Sequence, residues 1–146
     1  MDLKNMTNNE KMDLAENLDT PLDLLRDLAK DASWGVKEAL AENPSTPLDI
    51  LREMATDVSY QVRACVATNP NTPVDILLEW TKDPNYWIRR GVAENPKSSS
   101  NILVRVFEYE KSLKKPSVEV IWKLYKNPKL PLFAKRVLET LFGDWL

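Results

Sequence analysis

The sequence contains no histidine. That absence removes Ser-His and Cys-His nucleophile pairs and every His-ligated zinc site. It contains one cysteine, Cys65, so no internal disulfide can form. With only three glycines, the chain has little of the positive-φ backbone that tight hairpins need. No apolar run approaches the roughly 18 residues that span a bilayer. The polar start MDLKNMTNNEKMD lacks the apolar stretch of a signal peptide. Neither a phosphate loop nor GxGxxG occurs. Together these absences predict a helical protein, cytoplasmic, with no enzymatic activity, no cofactor and no membrane partner.

One passage is written several times. AENLDTPLDLL starts at Ala15, and ATNPNTPVDILL starts at Ala67. ENPSTPLDIL lies between them, and a weaker copy, AENPKSSSNIL, starts at Ala93. Ala15, Ala41, Ala67 and Ala93 are 26 residues apart. Inside each unit Thr-Pro-x-Asp recurs at Thr20, Thr46 and Thr72. Thr suits a helix N-cap, Pro the first helical position, and an acid the first turn. Each mark therefore predicts a helix, here called A. Its apolar columns are Leu22, Leu48, Val74; Leu25, Leu51, Leu77; and Leu28, Met54, Trp80, which describe one buried stripe. Asp27, Glu53 and Glu79 fall on the outer face.

A second mark is Asp31, Asp57 or Asp83, followed two residues later by Ser33, Ser59 or Asn85. Either position suits the cap of a second helix, B, and Pro84 favours the acid. Helix B is expected to bury Val36, Ala39, Leu40; Val62, Cys65, Val66; and Ile88, Gly91, Val92. It stops at Asn43, Asn69 and Asn95, because the proline after each keeps that residue out of the α region. One such pair is too small to bury its own stripe, and stacking supplies the missing core.

The predicted fold is an all-α, right-handed solenoid of about four and a half repeats of 26 residues, in a single domain over 1–146. Residues 7–17 read as an N-terminal half-repeat, starting at Thr7. Regular repeats occupy 18–44, 45–70 and 71–96. A longer divergent repeat fills 97–128, where six extra residues lengthen helix A through about Ser112 and Ser117 restarts helix B. A capping helix from Pro131 to Phe142 closes 129–146, with Gly143 as its stop.

The stretch ATNPNTPVDILLEWTKDPNYWIRRGVAENP, Ala67 to Pro96, resembles the leucine-rich repeat variant family. Units of that family read roughly Asn-Pro-x-Thr-Pro, Leu-x-x-Leu, Asp, Val-Arg-x-x-Val-Ala. The resemblance is close over 15–96 and loose over 97–130. It implies a superhelix of paired helices related to HEAT and armadillo arrays, in which one helix per unit can be a short 3₁₀ segment. The family's best-known form accompanies a cysteine-ligated iron–sulfur cluster, for which Cys65 alone supplies no ligand set. Such a fold says little about function.

A solenoid binds through columns that do not pack. Lys37, Arg63 and Arg89 form a basic column on helix B, widened by Arg90. Ion pairing with the Asp31, Asp57, Asp83 column, or with Glu42 and Glu94, is the plainer reading of those charges. Trp87 shares its column with Gly35 and Gln61, which suits a surface position beside Arg89 and Arg90; the alternative is that it packs against the lengthened fourth repeat. Trp34, Tyr60 and Tyr86 read as packing between units. Trp122 lies in a variable column, where it is either open or covered by the last helix. Cys65, among Ala39 and Gly91, reads as packing.

Charge is uneven: residues 1–96 carry a net −7 and residues 97–146 a net +5. These features predict a protein-binding scaffold whose contact surface is Lys37, Arg63, Trp87, Arg89 and Arg90. The alternative is a nucleic-acid-binding module using the same stripe and the basic C-terminal region. A HEAT-like DNA glycosylase comes third, because no motif of those enzymes carries over. The chain is expected to be a monomer or to self-associate weakly.

Overall fold

The computed structural model describes residues 2–30 and 33–146. Asp31, one of the acids expected to cap a second helix, lies outside the described residues. Every regular element among the described residues is helical. The chain forms two compact units, residues 1–73 and 74–146, and the division falls within the Thr72-Pro73-Val74 mark of the third predicted repeat.

The first unit holds α1 (Asn8–Glu16), α2 (Leu22–Ala29), α3 (Trp34–Glu42), α4 (Leu48–Met54) and α5 (Tyr60–Thr68). The B-type helices α1, α3 and α5 pack in a row, with α2 against α3 and α4 against α5. Thr7 and Glu10 form a capping box at the start of α1.

The second unit starts with α6 (Val74–Glu79), which tightens into a 3₁₀ turn at Trp80–Lys82. Then come α7 (Tyr86–Glu94), α8 (Ser100–Ser112), α9 (Val118–Lys126) and α10 (Leu132–Phe142). Helix α7 packs on α8 and α9, and α9 on α10. Helix α8 ends at Ser112 and Ser117 caps α9, where the sequence places both. The A-type helices α2 and α4 are α-helical, so the 3₁₀ option is taken only after α6.

The core keeps two of the three predicted A columns. Leu25, Leu28, Leu51, Met54, Leu77 and Trp80 are buried. Leu22, Leu48 and Val74 are instead 52 %, 53 % and 47 % exposed. Each is the first residue of its helix, so no earlier turn brings a neighbour over it. Ile50 and Ile76 are buried instead. Of the predicted B positions, only Cys65 is not fully buried.

The Thr-Pro mark works differently from its expected role. Thr20 and Thr46 cap no following helix, and α2 and α4 start without a side-chain cap. Their hydroxyls donate backwards instead: Thr20 Oγ1 to the Leu14 carbonyl at 2.7 Å and Thr46 Oγ1 to Leu40 at 2.6 Å. Thr72 reaches the Val66 carbonyl in the same way. Each Thr thus adds a bond to a carbonyl in the last turn of the preceding B helix; those of Leu40 and Val66 also accept from the Asn43 and Asn69 amides. Ser98 repeats the bond to Val92 at 2.5 Å. The divergent SSSN start therefore keeps this function, and Ser99 becomes the N-cap of α8.

At the second mark, Ser33, Ser59 and Asn85 occupy the N-cap position, not the acids. The acids brace those caps: Asp57 Oδ1 accepts from Ser59 N at 2.8 Å and Asp83 Oδ1 from Asn85 N at 2.7 Å. Gly143 has φ −52° and is right-handed, so it ends no helix in the left-handed manner, and a 3₁₀ turn continues to Trp145.

The asparagines that stop the B helices also join successive repeats. Asn43 Nδ2 donates to the Ala15 carbonyl at 2.7 Å and the Asn17 carbonyl at 3.3 Å. Asn69 Nδ2 donates to Ala41 at 2.7 Å and Asn43 at 2.9 Å. In the second unit Asn127 reaches Ala93 at 2.8 Å. Their Oδ1 atoms accept from the amides of Ser45, Asn71 and Lys129. The side chain thus holds the turn it terminates and the end of the previous B helix.

Candidate functional site

Three of the five predicted contact residues are committed to the fold. Lys37 Nζ pairs with Asp57 Oδ2 at 2.7 Å. Burial raises the Asp57 carboxyl, but Lys37, the Ser59 amide and Arg63 outweigh it and hold it below its ordinary value. Arg63 Nη1 donates to the Asp57 and Val58 carbonyls at 2.6 and 3.2 Å. Arg89 repeats that geometry on Asp83 and Pro84 at 2.7 and 3.1 Å. The column therefore braces the turn before each B helix.

Arg89 is the plainest correction: it is only 3 % exposed and cannot meet a partner. Its Nε donates to Glu110 Oε1 at 2.5 Å, and its guanidinium lies 5.3 Å from the Tyr109 ring centroid. Glu110 is fully buried, and its Oε2 accepts from Ser117 N at 2.8 Å. One ion pair thus joins α7, α8 and the start of α9. Glu110 belongs to the lengthened helix, which no regular repeat contains, so the repeat pattern gives no column in which to find it.

Trp87 and Arg90 remain at the surface. Trp87 is 39 % exposed. It stacks on Tyr86 with centroids 5.0 Å apart, and the Arg90 guanidinium sits 5.2 Å over its ring. Beside them α9 presents a face that carries Trp122 together with Lys123 and Lys126 of the basic C-terminal region. Val120, Ile121 and Leu124 take the buried side of this helix. Val118, Trp122 and Lys126, four residues apart, take the other. Trp122 is 42 % exposed, so α10 does not cover it. The ammonium groups of Lys126 and Lys123 lie 5.5 and 5.9 Å from its ring centroid.

A cleft of about 410 Å³ opens here, lined by Arg90, Val118, Glu119, Trp122 and Lys123. Lys123 pairs with Glu94, which also approaches Arg90 Nε at 4.0 Å. The result is an aromatic floor with a basic rim. Spacing of four residues, on the helix side away from the aliphatic run, was the signal for it in the sequence.

Other surfaces expose apolar groups as well. In the first unit Trp34, Val58 and Tyr60 line a shallow cleft of about 330 Å³ that has no charged residue in its wall. Trp34 is 62 % exposed, so the predicted inter-repeat packing does not include it. Near the C-terminus, Val104, Arg105 and Phe133 line another depression, where Arg105 is tied to Asn101 at 2.9 Å.

No group of three or more metal-ligating side chains is placed to hold an ion among the described residues. The Cys65 thiol is half-buried and donates to Glu42 Oε1 at 3.5 Å. Burial first, then the charge of Glu42, its hydrogen bond, and Glu38 push the thiol up to about 12. The thiolate that a nucleophile or a metal needs is therefore scarce at neutral pH. No helix of the described residues is long and apolar enough to cross a membrane.

Residues 34–59 match the family described as leucine rich repeat variant. The match runs from the start of α3, through α4, to the cap of α5. No curated protein and no solved structure matches the chain.

Proposed function

We propose that this chain is a non-catalytic protein-binding module whose contact surface is the α7–α9 face of the second unit. The supporting observation is the pair of exposed tryptophans, Trp87 and Trp122, each flanked by cations. Trp, Tyr and Arg dominate interface hot spots, because rigid aromatic area is buried with little loss of side-chain entropy. The helical repeat fold supports the same reading, since stacked repeats expose their variable columns as binding surfaces. Of the residues predicted from sequence, Trp87 and Arg90 belong to this surface. Trp122, Val118, Lys123 and Lys126 join them.

Single-stranded nucleic acid is the competing ligand. Base stacking needs an open aromatic face. Here Arg90 lies over Trp87 and two lysines over Trp122, which leaves less face to stack on. The net charge of −2 also lacks the strong positive field that backbone binding usually rests on.

The test is affinity capture from a lysate of the source cell, with and without nuclease, using wild type and a Trp87→Ala/Trp122→Ala variant. Capture of a protein by wild type, insensitive to nuclease and lost in the variant, is the expected outcome. Each substitution should cost about 2 kcal/mol with the purified partner, roughly thirtyfold in Kd. Equal capture by both forms would move the contact surface elsewhere. Loss of capture on nuclease treatment would replace the protein reading with the nucleic-acid one.

A further inference from the structure

Resting on the protein-binding reading, we infer that the α7–α9 cleft takes an acidic segment of the partner, with a bulky apolar side chain between two carboxylates. Charge on this face carries the inference. Arg90 and Lys123 line the cleft, the Lys126 ammonium lies 5.5 Å from the Trp122 ring centroid, and Lys114 and Lys115 stand exposed just before α9. Glu94 is already shared between Arg90 and Lys123. Glu119 is the other acid in the lining. Lys114, Lys115 and Lys126 form no ion pair with any described residue. A ligand supplying carboxylates would therefore compensate charges that the protein leaves uncompensated.

The apolar part follows from Val118 and Trp122. They are 44 % and 42 % exposed, side by side on one helix face. Burying them under an aliphatic or aromatic side chain would be favourable, because it removes apolar surface from water. It would also strengthen the flanking ion pairs by excluding solvent.

The helix sets the spacing of the acids. Val118 to Lys126 is eight residues, or about 12 Å along α9 at 1.5 Å per residue. An extended peptide covers that distance in about four residues at 3.3 Å each. The matching segment is therefore acid-x-apolar-x-acid. One carboxylate meets Lys126, and the other lies at the Val118 end of α9, the end that Lys114 and Lys115 precede in the chain.

Fluorescence anisotropy with labelled synthetic peptides on the intact chain tests this. The probe is a peptide carrying Glu-Ser-Phe-Ser-Glu within a Gly-Ser frame. Comparison peptides replace both Glu by Gln, both Glu by Lys, or Phe by Ala, and a labelled single-stranded oligonucleotide serves as the competing ligand class. The acidic Phe peptide is expected to bind best. Lys126→Glu should weaken it about fivefold, and Trp122→Ala about thirtyfold. Both side chains are exposed, and an unchanged thermal transition would show that the variants fold.

Equal binding of the Gln or Lys peptide would overturn the proposal. So would tighter oligonucleotide binding lost in the same variants, which would make the ligand a nucleic acid. Self-association abolished by Lys126→Glu, with no peptide binding, would make the occupant a second copy and overturn it too. If no peptide binds but a captured protein still depends on Trp122, the acidic segment is wrong and the protein-binding reading stands. If neither binds, both fall.

Discussion

At the scale of single residues, the asparagines decide most. A buried amide is costly unless its hydrogen bonds are made. Asn69 is 1 % exposed and makes at least three: two donated to carbonyls of the previous repeat and one accepted from Asn71. Asn69→Ala would leave those backbone groups without their partner, at about 1–3 kcal/mol for each group stranded. A loss of about 3 kcal/mol in urea-unfolding stability is the expected outcome. Asn17, exposed at the end of this series, holds only its own turn through the Asp19 amide at 2.9 Å. Asn17→Ala should therefore cost about 0.5 kcal/mol or less. Equal costs at the two positions would mean that the inter-repeat bonds contribute nothing. The recurrence of these asparagines was plain in the sequence, but only their role as helix stops was legible there. The bonds reach back 26 and 28 residues, beyond any local rule.

At the scale of elements, helix boundaries were legible and their chemistry only partly so. Proline and asparagine act on their own backbone, so the stops and starts were written locally. Thr46 could donate to the helix behind it or accept from the one ahead, and local sequence supports both. The helix end behind it wins, because its carbonyl is buried with the Thr side chain and the next helix needs no cap bond from it. The same ambiguity hid Arg89. Its column gave it the same role as Lys37 and Arg63, yet α8 brings Glu110 over it and removes it from solvent. Breaking a buried pair by deleting one partner is expensive, whereas replacing both with apolar groups is often neutral. Glu110→Ala should destabilise the protein by about 3–5 kcal/mol, and Arg89→Met/Glu110→Leu should recover much of that loss. Chemical denaturation of the single and double variants measures both. A Glu110→Ala cost under about 1 kcal/mol would show that the pair does not hold α7, α8 and α9 together.

At the scale of the whole molecule, charge is the feature with consequences. Residues 1–73 carry 7 basic and 13 acidic side chains, net −6, and residues 74–146 carry 13 and 9, net +4. Opposite fields on one chain favour weak association between copies, and such contacts between exposed charges are screened beyond about 10 Å in 0.1 M salt. Sedimentation velocity at high protein concentration should show reversible self-association at low salt that disappears as salt rises. A monomer under both conditions would exclude it. If association occurs, the Lys126→Glu variant tells whether it uses the face assigned here to acidic partners.

The sequence alone determined the all-helical class, nearly every helix boundary and the two main core columns. Each of these depends on periodicity or on backbone chemistry within a few residues, which the chain states locally. Tertiary structure decided what each cation of the basic column pairs with. Lys37, Arg63, Arg89 and Arg90 look alike in a repeat alignment, because they have the same charge in similar columns. Only the placement of Asp57, of turn carbonyls and of Glu110 separates those that brace turns or a buried pair from Arg90, which lies over Trp87 and approaches Glu94 at 4.0 Å. Tertiary structure likewise decided that α10 packs without covering Trp122. An ion pair or a cover is made by groups distant in sequence, and its geometry exists only once the helices have packed.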